Sequence, residues 1–304
     1  MSSIKKQTKN LIRDFLRFIF TPYFYNKIRF ILVHHYYPSF SSPNTFSEKI
    51  FARKLDNYSL RFSRYVDKYT VREYVRDTIG EEYLIPLISK TTHVTPDFFK
   101  YAPQKFVIKT SNGGGGENVK VVLDKSELIN LKKLAKQFNR YMAIKIGKKI
   151  DEHFYDVELP QVLMEELLIH NDGTLPSDYK LHIFKGDGCS NDKVIIQVDS
   201  DRFGNHKRSL YSECLKKLDF SIQPKYEPID DSYEFPSNMS ELIVLAKKLA
   251  SPFKYVRVDM YSVDGRIYFG EMTFCHGSGW EPFSSNDADI LLGGYWHEYN
   301  SNYS

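Results

Sequence analysis

Cysteine is scarce in this chain of 304 residues, and its few occurrences form no recognisable pattern. Cys189, Cys214 and Cys275 show neither a CxxC spacing nor an arrangement with histidine that would bind a metal. A sparse and odd set of cysteines excludes a disulfide framework and a zinc site, and it favours a reducing compartment.

Long apolar runs are also absent. Arg13, Asp14 and Arg17 interrupt the first apolar stretch, no small-residue cleavage site follows it, and no stretch reaches the length of a bilayer-spanning helix. We therefore expect a cytoplasmic protein without a secretory signal, either free or peripheral at the inner face of the cytoplasmic membrane.

Neither sign of charge is in large excess. The 42 Lys and Arg residues against 38 Asp and Glu residues give a formal net charge of +4. This balance suits an anionic small ligand such as a nucleotide, and it is too weak to indicate a nucleic-acid partner. The length and the 42% hydrophobic content predict two or three lobes with more than one core.

The first 43 residues are predicted to form a separate basic amphipathic helical arm. Apolar residues recur there at helical spacing with basic residues between them, and a loop rich in Ser and Pro follows. Such a helix is expected to dock its apolar stripe on the protein, and contact with an anionic membrane is the alternative. The apolar residues are Leu11, Ile12, Phe15, Leu16, Ile19, Phe20 and Phe30 to Val33, and the basic ones are Lys5, Lys6, Lys9, Arg13 and Arg17.

The rest of the chain is predicted to divide into lobes at residues 44–100, 101–168 and 169–304. Helical and strand patterns alternate along them, which predicts an α/β fold of the α+β type. A hairpin is expected to turn at Asp264-Gly265, and the tail from His276 onward is predicted to be loop. The predicted helices are 126–146 and 238–250, and the predicted strands are 81–88, 106–109, 119–123, 161–168, 178–184, 193–199 and the hairpin 255–274.

A run of four glycines, Gly113, Gly114, Gly115 and Gly116, follows the apolar strand that ends at Lys109. Such a run costs backbone entropy, but it lets backbone N–H groups approach phosphate oxygens without obstruction. No GK[ST] follows, which excludes a Walker A loop, and the glycine spacing disfavours a dinucleotide-binding loop. The run favours phosphate binding with Lys109 beside it, and a flexible hairpin tip is the alternative.

Charged residues also line two other predicted strands. Glu165 and Glu166 follow three apolar residues, where carboxylates could accept hydrogen bonds from a ribose, and a solvated strand end is the alternative. Asp178 and Lys180 share one face of their strand because side chains two residues apart point the same way. Lys180 could lie beside a terminal phosphate or could form a cross-strand salt bridge.

Arg257, Asp259 and Glu271 form the strongest group of charged residues in the sequence. They occur within two apolar strands, where charged side chains require partners. Two converging carboxylates suit Mg²⁺ that carries nucleotide phosphates, and a neighbouring arginine can stabilise a transferring phosphoryl group. A structural Arg–Asp pair is the alternative.

This grouping places a condition on the hairpin. A strict two-residue turn at Asp264-Gly265 would pair residue 259 with residue 270 and would send Glu271 to the opposite face. If both carboxylates bind one metal ion, the hairpin must therefore contain a bulge or a loop of odd length.

The order of these motifs resembles the ATP-grasp superfamily, and specifically its TupA-like branch associated with surface polysaccharide and teichuronopeptide synthesis. The resemblance covers roughly Asn44 to Gly294. It is carried by the ordered motifs NTFSEKI, DKYTVREYV, K-TSNGGGG, EEL, DYK, RVD and GEMTF.

The resemblance implies that MgATP binds between a central and a C-terminal lobe. Lys68, Lys109, Ser111 and the glycine loop would hold the phosphates, and Glu165, Glu166 and Leu167 would contact adenine and ribose. The magnesium ligands would be Asp259, Glu271 and Thr273, where Thr273 replaces the asparagine of many members and is a weaker ligand. Arg257, Lys180 and His182 are the predicted catalytic residues, and Arg202, His276, Ser278 and Trp280 are predicted on the substrate side.

The implied reaction joins a carboxylate to an amine through an acyl-phosphate. A glycan or sugar-nucleotide carboxylate of the uronic acid type and an amino acid or amino alcohol are the expected substrates. Two alternatives use the same nucleotide site: phosphate transfer to a sugar hydroxyl, and a non-catalytic nucleotide-binding subunit of a polysaccharide assembly.

Overall fold

The fold is known from a computed structural model, which describes residues 16, 19–114, 116, 118–188, 191–201 and 204–299. Within these residues nine strands form two antiparallel sheets, with α-helices packed around them. The helices are α1 (Pro22–His34), α2 (Phe46–Leu55), α3 (Ser63–Val66), α4 (Val71–Thr78), α5 (Leu131–Met142), α6 (Ile146–Ile150), α7 (Met239–Ala250) and α8 (Asn286–Tyr295). The strands are β1 (Leu87–Thr91), β2 (Phe106–Thr110), β3 (Val119–Val122), β4 (Val162–Glu166), β5 (Asp178–Phe184), β6 (Lys193–Ser200), β7 (Lys207–Ser212), β8 (Tyr255–Val263) and β9 (Arg266–Thr273).

The first sheet has the strand order β1-β4-β2-β3. Phe106 and Ile108 of β2 are buried, and they belong to the same apolar cluster as Leu134 and Phe138 of helix α5. The glycine run follows β2 directly, so this sheet presents it at the tip of the β2–β3 hairpin. The sheet and α5 together form a separate small core.

The second sheet has the order β7-β6-β5-β8-β9 and two chemically different faces. Leu181 of β5 and Val258 of β8 alternate with polar residues, and both lie in one apolar cluster with Leu242 of α7. The polar residues of the same strands therefore gather on the opposite face. Both strands are buried almost throughout, because that polar face is covered as well.

The β8–β9 hairpin contains the required bulge. Val263 pairs with Arg266 across the turn, and Met260 pairs with Phe269, but Asp259 then pairs with Glu271. Gly270 is the extra residue. A Cβ atom there would lie 2.9 Å from the Tyr261 ring and 3.0 Å from the Asp259 carbonyl oxygen, which explains the glycine.

Helix α2 is fixed at its start and along its buried side. Thr45 and Glu48 form a reciprocal capping box, with the Glu48 amide donating to Thr45 Oγ1 over 3.1 Å and the Thr45 amide donating to Glu48 Oε2 over 3.0 Å. Lys49 donates to the carbonyl oxygens of Gly293 (2.9 Å) and Trp296 (2.6 Å). These bonds join the N-terminal helical region to helix α8.

Several sequence predictions of local structure are confirmed, and others are wrong. Strand 178–184 has the predicted bounds, and helix 238–250 begins one residue later than predicted. The predicted helix 126–146 is instead a helical turn at Lys125–Glu127 followed by α5, because Asn130 caps a new start. The predicted strand 81–88 is mostly wrong because Glu81–Tyr83 form a 3₁₀ turn, and the predicted loop after His276 contains helix α8.

The predicted division at residue 100 cuts across the first sheet. β1 lies before this boundary, yet it pairs with β4, which lies in the next predicted lobe. The boundary at residue 168 falls between the two sheets. The four-part division remains a prediction.

The first part of the predicted arm, residues 1–15, 17 and 18, lies outside the described residues, and it includes Leu11, Arg13 and Arg17. Its described part contains helix α1, which begins with Pro22 in its first turn and ends where His35 adopts a left-handed conformation with φ 62°. None of the helices in the described part of the chain is long and apolar enough to cross a membrane.

Two adjacent glycines of α8 give a matched test of this packing. A Cβ atom on Gly293 would lie 2.1 Å from the Asn44 carbonyl oxygen, whereas a Cβ atom on Gly294 meets nothing within 4 Å. We expect Gly293→Ala to lower the free energy of unfolding by about 1–3 kcal/mol through overpacking. Gly294→Ala should leave it unchanged or raise it by up to ~1 kcal/mol, because alanine favours a helix. Urea unfolding measures both, and equal effects of the two changes would contradict this packing.

Candidate active site

Acidic and basic side chains are concentrated on the polar face of the second sheet and in the loop after β9. The strand register places Lys180 opposite Asp259, and His182 opposite Arg257. Arg257 in turn lies opposite Thr273. The charged members of this group are Asp178, Lys180, Asp199, Arg208, Arg257, Asp259, Glu271 and Glu281.

Arg257 is at the centre of this group. It donates to both oxygens of Asp259, from Nε over 2.6 Å and from Nη2 over 2.7 Å, and to Glu271 Oε1 over 3.0 Å. The Arg–Asp pair that the sequence offered as an alternative is therefore present, and the same guanidinium also binds the second carboxylate. Thr273 lies beside them, with its hydroxyl 3.5 Å from Glu271 Oε1.

Lys180 is surrounded by carboxylates. Its Nζ lies 3.0 Å from Asp199, 3.2 Å from Asp178 and 3.9 Å from Asp259. Asp199 is also bound by Arg208, whose Nε donates to Oδ1 over 2.5 Å. The cross-strand salt bridge that was the alternative for Lys180 is thus present, and it is part of a larger network.

His276 continues the network into the loop after β9. Arg257 Nη1 lies 2.8 Å from His276 Nδ1, and Nε2 lies 3.2 Å from Glu281 Oε2. A guanidinium can only donate, so Nδ1 accepts and the ring proton is on Nε2, facing Glu281. Burial lowers the pKa of His276, which keeps the ring in this neutral form.

His182 lies opposite Arg257 on strand β5 and has no exposed surface. Its Nδ1 lies 3.1 Å from the Tyr255 hydroxyl and its Nε2 lies 3.4 Å from Gln197 Oε1. Burial lowers the pKa of His182 well below its usual value, so the ring is neutral. Both nitrogens face protein groups, which favours support of the sheet over contact with a substrate.

Among the described residues, the network has more carboxylates than cations. Its five carboxylates exceed its three cations, Lys180, Arg208 and Arg257, by two charges. Lys68, whose Nζ lies 3.6 Å from Glu271 Oε2, reduces this excess to one. Burial raises the pKa of Asp259 to about 6 although the charges of Arg257 and Lys180 oppose it. The arrangement therefore favours an additional cation.

The first sheet contributes a second charged group. Lys109 Nζ lies 2.5 Å from Glu165 Oε2, and Arg72 Nη1 lies 3.4 Å from Glu165 Oε1. Glu165 is buried, whereas Glu166, the next residue of the strand, is exposed on the opposite face. The two glutamates therefore do not face one ligand together, and the buried one is neutralised by two cations.

The glycine loop is held at its base by side chains. The backbone N–H of Gln161 donates to the buried Ser111 hydroxyl over 3.0 Å. The side-chain Nδ2 of Asn118 donates to the backbone carbonyl oxygen of Asn112 over 2.8 Å. Gly113 and Gly116 both have φ 79°, the left-handed region that favours glycine. Gly115 lies outside the described residues. The loop thus has a fixed base and a glycine backbone at its tip.

Lys68 connects the two charged groups. Its backbone N–H donates to the Ser111 carbonyl oxygen over 2.9 Å, and its Nζ donates to the Gly113 carbonyl oxygen over 2.5 Å. The same Nζ lies 3.6 Å from Glu271. One ammonium group therefore lies between the glycine loop and the carboxylate pair, so the loop and the second sheet border a common space.

The residues predicted on the substrate side are only partly brought together. His276 belongs to the network through Arg257, whereas Ser278 accepts from Lys54 at Oγ over 2.9 Å. Trp280 packs against Phe51, with the Arg29 guanidinium 3.7 Å from its ring centroid. Arg202 lies outside the described residues.

Sequence reasoning missed several residues of the site. Asp199 and Arg208 lie on strands whose polar positions alternate in the same way, and this alternation was a signal that could have found them. Tyr155 comes close to the glycine loop, since a Cβ atom on Gly114 would lie 3.9 Å from its hydroxyl. Glu152 is buried, and burial raises its pKa to about 7. Tyr155 and Glu152 belong to none of the motifs, so only the fold reveals them.

The donors present fit a magnesium ion that is held partly by nucleotide phosphates. Mg²⁺ prefers one or two carboxylates together with phosphate and water oxygens, and Asp259 and Glu271 supply two hard oxygen donors on one face. The described residues contain no group of three or more His, Cys, Asp or Glu side chains arranged to hold a metal ion. The protein therefore offers a shared site that nucleotide oxygens would complete.

Comparison with known families identifies the class of this chain. Residues 48–297 match the model of the family described as TupA-like ATPgrasp. The chain therefore belongs to the TupA-like ATP-grasp family, and its two antiparallel sheets with surrounding helices are of the α+β type. No protein with a curated description matches it in sequence.

Solved structures that are similar to parts of this chain include three ligases. D-Alanine-D-alanine ligase from Helicobacter pylori is 17% identical over 78% of this chain, with a TM-score of 0.42. D-Alanine–D-alanine ligase from Bacillus anthracis is 18% identical over 68% (TM-score 0.36), and phosphoribosylamine–glycine ligase from Thermotoga maritima is 16% identical over 70% (TM-score 0.39). The chain covers 61%, 56% and 48% of the length of these proteins, respectively.

The buried network makes a prediction about stability and pH. Burial alone would raise the pKa of Asp199, but the charges of Lys180 and Arg208 outweigh it and hold the pKa well below its usual range. The charged carboxylate therefore stabilises the fold above about pH 3.8, and this contribution is lost as the pH falls towards its depressed pKa. We expect Asp199→Asn to lower the free energy of unfolding by about 3–5 kcal/mol near pH 7.

The difference between Asp199→Asn and the wild type should shrink below about pH 4, when measured by urea unfolding across the acid range. Asp231→Asn is the control, because Asp231 pairs with Lys217 while its side chain is 90% exposed. This control should show no measurable loss at any pH. Equal losses in the two variants would contradict a stabilising role of the buried network.

Proposed function

We propose that this protein is an ATP-dependent carboxylate–amine ligase that works through an acyl-phosphate. The observation that carries the proposal is the position of Lys68, which lies between the glycine loop and the Asp259–Glu271 pair. A phosphate chain in this space would meet backbone N–H groups on one side and carboxylates suited to Mg²⁺ on the other. Membership of the ATP-grasp family supports the same assignment.

Each side of the space has a distinct proposed role. Lys68, Lys109, Ser111 and the glycines would bind the phosphates, and the segment Glu165 to Leu167 would contact adenine and ribose. Asp259 and Glu271, with Thr273 as a weaker donor, would hold Mg²⁺. The metal, when bound, would neutralise phosphate charge and polarise the γ-phosphoryl group.

Arg257 and Lys180 are the proposed catalytic cations. Arg257 is tied to both carboxylates, so binding of MgATP would compete with it for their oxygens and free its guanidinium to donate to the phosphoryl group. Lys180, already surrounded by three carboxylates, keeps Asp259 charged when Arg257 moves. His276 is bonded to Arg257 through Nδ1. Its proposed place is therefore beside the acyl group, next to Arg257.

The glycine loop has the proposed role of a lid. An acyl-phosphate hydrolyses in water, so the reaction requires that water be excluded until the amine attacks. The loop is fixed at Ser111 and Asn112, whereas Gly114 and Gly116 are exposed at its tip. This arrangement allows the tip to close over phosphates while the base stays in place.

We infer the substrates from the TupA-like branch. The proposed carboxylate belongs to a uronic-acid-type unit of a surface polysaccharide or its precursor, and the proposed amine is an amino acid or amino alcohol. A lipid-linked form of this glycan would place the enzyme at the inner face of the cytoplasmic membrane. The excess of Lys and Arg in the first 37 residues agrees with that position.

Isotope transfer tests the reaction class. With an ¹⁸O-labelled uronic acid and an amine, a ligase should move one ¹⁸O atom from the carboxylate to inorganic phosphate, because that oxygen bridges the acyl-phosphate. Hydroxylamine in place of the amine should yield a hydroxamate. ADP formation with a phosphorylated sugar, without release of inorganic phosphate and without an amide, would show a kinase instead. ATP binding without ADP release from any carboxylate and amine mixture would show a non-catalytic subunit.

Site variants test the assignment of residues. We expect Asp259→Ala and Glu271→Ala to abolish magnesium-dependent ADP release, and Arg257→Ala to lower kcat by about 10²–10³-fold while nucleotide binding persists. Arg64→Ala is the control, because the Arg64–Glu73 pair is exposed. Steady-state ADP release and nucleotide titration measure both effects. Full turnover by Asp259→Ala would overturn the metal assignment.

A further inference from the structure

Among the described residues, the apolar contacts of helix α1 with the rest of the protein lie along one side. Phe30 is completely buried and packs with Phe40 and Phe51. Asn26 donates to Asp151 over 3.1 Å, and His34 Nε2 lies 2.8 Å from the Gly279 carbonyl oxygen. These contacts fix the orientation of the helix, so the opposite side must face outward.

The outward side is apolar. Phe24, Ile28 and Leu32 are spaced four residues apart, which places them in one row along the helix. They are 58%, 47% and 70% exposed, although side chains of this kind are usually buried. Phe20, which precedes the helix, is also 42% exposed. We call Phe24, Ile28 and Leu32 the apolar row.

Basic residues lie on both sides of the apolar row. At 100° per residue, Lys27 and Arg29 lie about 100° from Ile28 in opposite directions. Lys27 Nζ is 4.4 Å from the Tyr37 ring centroid, and the Arg29 guanidinium is 3.7 Å from the Trp280 ring centroid. The row is therefore bordered by two cations that aromatic rings hold in place.

The first 37 residues of the sequence share this charge bias. They contain seven Lys and Arg residues and a single acidic residue, Asp14. An apolar row bordered by cations is the pattern of a helix that lies in the interface of an anionic lipid layer. We propose that the apolar row of α1 is a docking surface for an anionic membrane.

A second copy of the chain is a poorer occupant of this surface. A two-fold interface would place the same patch on both partners, so Lys27 and Arg29 would face their own copies. Such like-charge contacts oppose association. An anionic lipid headgroup layer instead complements the cations while its acyl region accepts the apolar row. The geometry would hold the body of the protein against the membrane through the buried side of α1.

Vesicle binding tests this surface directly. We would measure co-sedimentation of the full chain with vesicles of phosphatidylglycerol and phosphatidylcholine, and with vesicles of phosphatidylcholine alone. We expect binding to the first and little to the second, and we expect it to weaken as salt is raised. The variant Phe24→Ser/Ile28→Ser/Leu32→Ser should weaken binding by ~10-fold or more, because the apolar contribution is lost.

A matched variant controls for general loss of surface hydrophobicity. Tyr101, Ile129 and Leu159 are also exposed apolar residues, but they lie far along the chain from α1. Their triple serine variant should bind vesicles like the wild type. Equal loss in both variants, equal binding to both vesicle types, or unchanged binding after loss of the apolar row would overturn the proposal.

Two further outcomes would identify another occupant. If the wild type is a dimer in sedimentation without lipid and the row variant is a monomer, a second copy covers the surface. If residues 1–18 become sensitive to protease only in the row variant, this segment covers it. Vesicle binding requires no turnover, so its failure leaves the proposed ligase activity intact, and absence of ligase activity leaves vesicle binding unaffected.

Discussion

Asp259 and Glu271 lie opposite each other on neighbouring strands, and the site depends on this pairing. It exists because one extra residue, Gly270, is inserted in β9 and shifts the register by one position. Without the insertion Glu271 would point to the face that packs on α7, where a carboxylate has no partner. Glycine is required there because a side chain would meet the Tyr261 ring and the Asp259 carbonyl oxygen. A local backbone irregularity thus decides which face carries the second carboxylate.

The pairing has consequences for the rest of the sheet. Two neighbouring carboxylates repel each other, and Arg257 offsets this by binding both. Lys180 and Arg208 offset the charge of Asp199 in the same way. Lys68 offsets part of the charge of Glu271 on the side of the glycine loop. Among the described residues the network still has an excess of negative charge, which suits the proposed bound cation. Its charges are buried because the loop after β9 and helix α2 cover the polar face.

Local patterns predicted much of the fold. The alternation in β5 and β8 and the Asp264-Gly265 turn gave correct elements because strand pairing in a hairpin is a short-range property. Where the pattern was ambiguous, the prediction was wrong. Residues 126–146 have helical spacing throughout, but Asn130 accepts a hydrogen bond from the Lys133 amide and starts a separate helix. Helix α8 was missed because its glycines disfavour a helix, and its contact with α2 outweighs that preference.

The sequence by itself determined the types of residue in the site and the strands that carry them. The glycine run, the Arg257–Asp259 spacing and the order of motifs were sufficient to indicate a nucleotide and a family. Only the tertiary structure decided that Lys109 pairs with Glu165, that Lys68 lies between the loop and Glu271, and that Asp199 and Arg208 belong to the network. These partners are distant along the chain or on other strands. Charged side chains pair only when they lie within a few ångströms of each other in space. The local periodicity of a sequence does not indicate which distant side chains come that close.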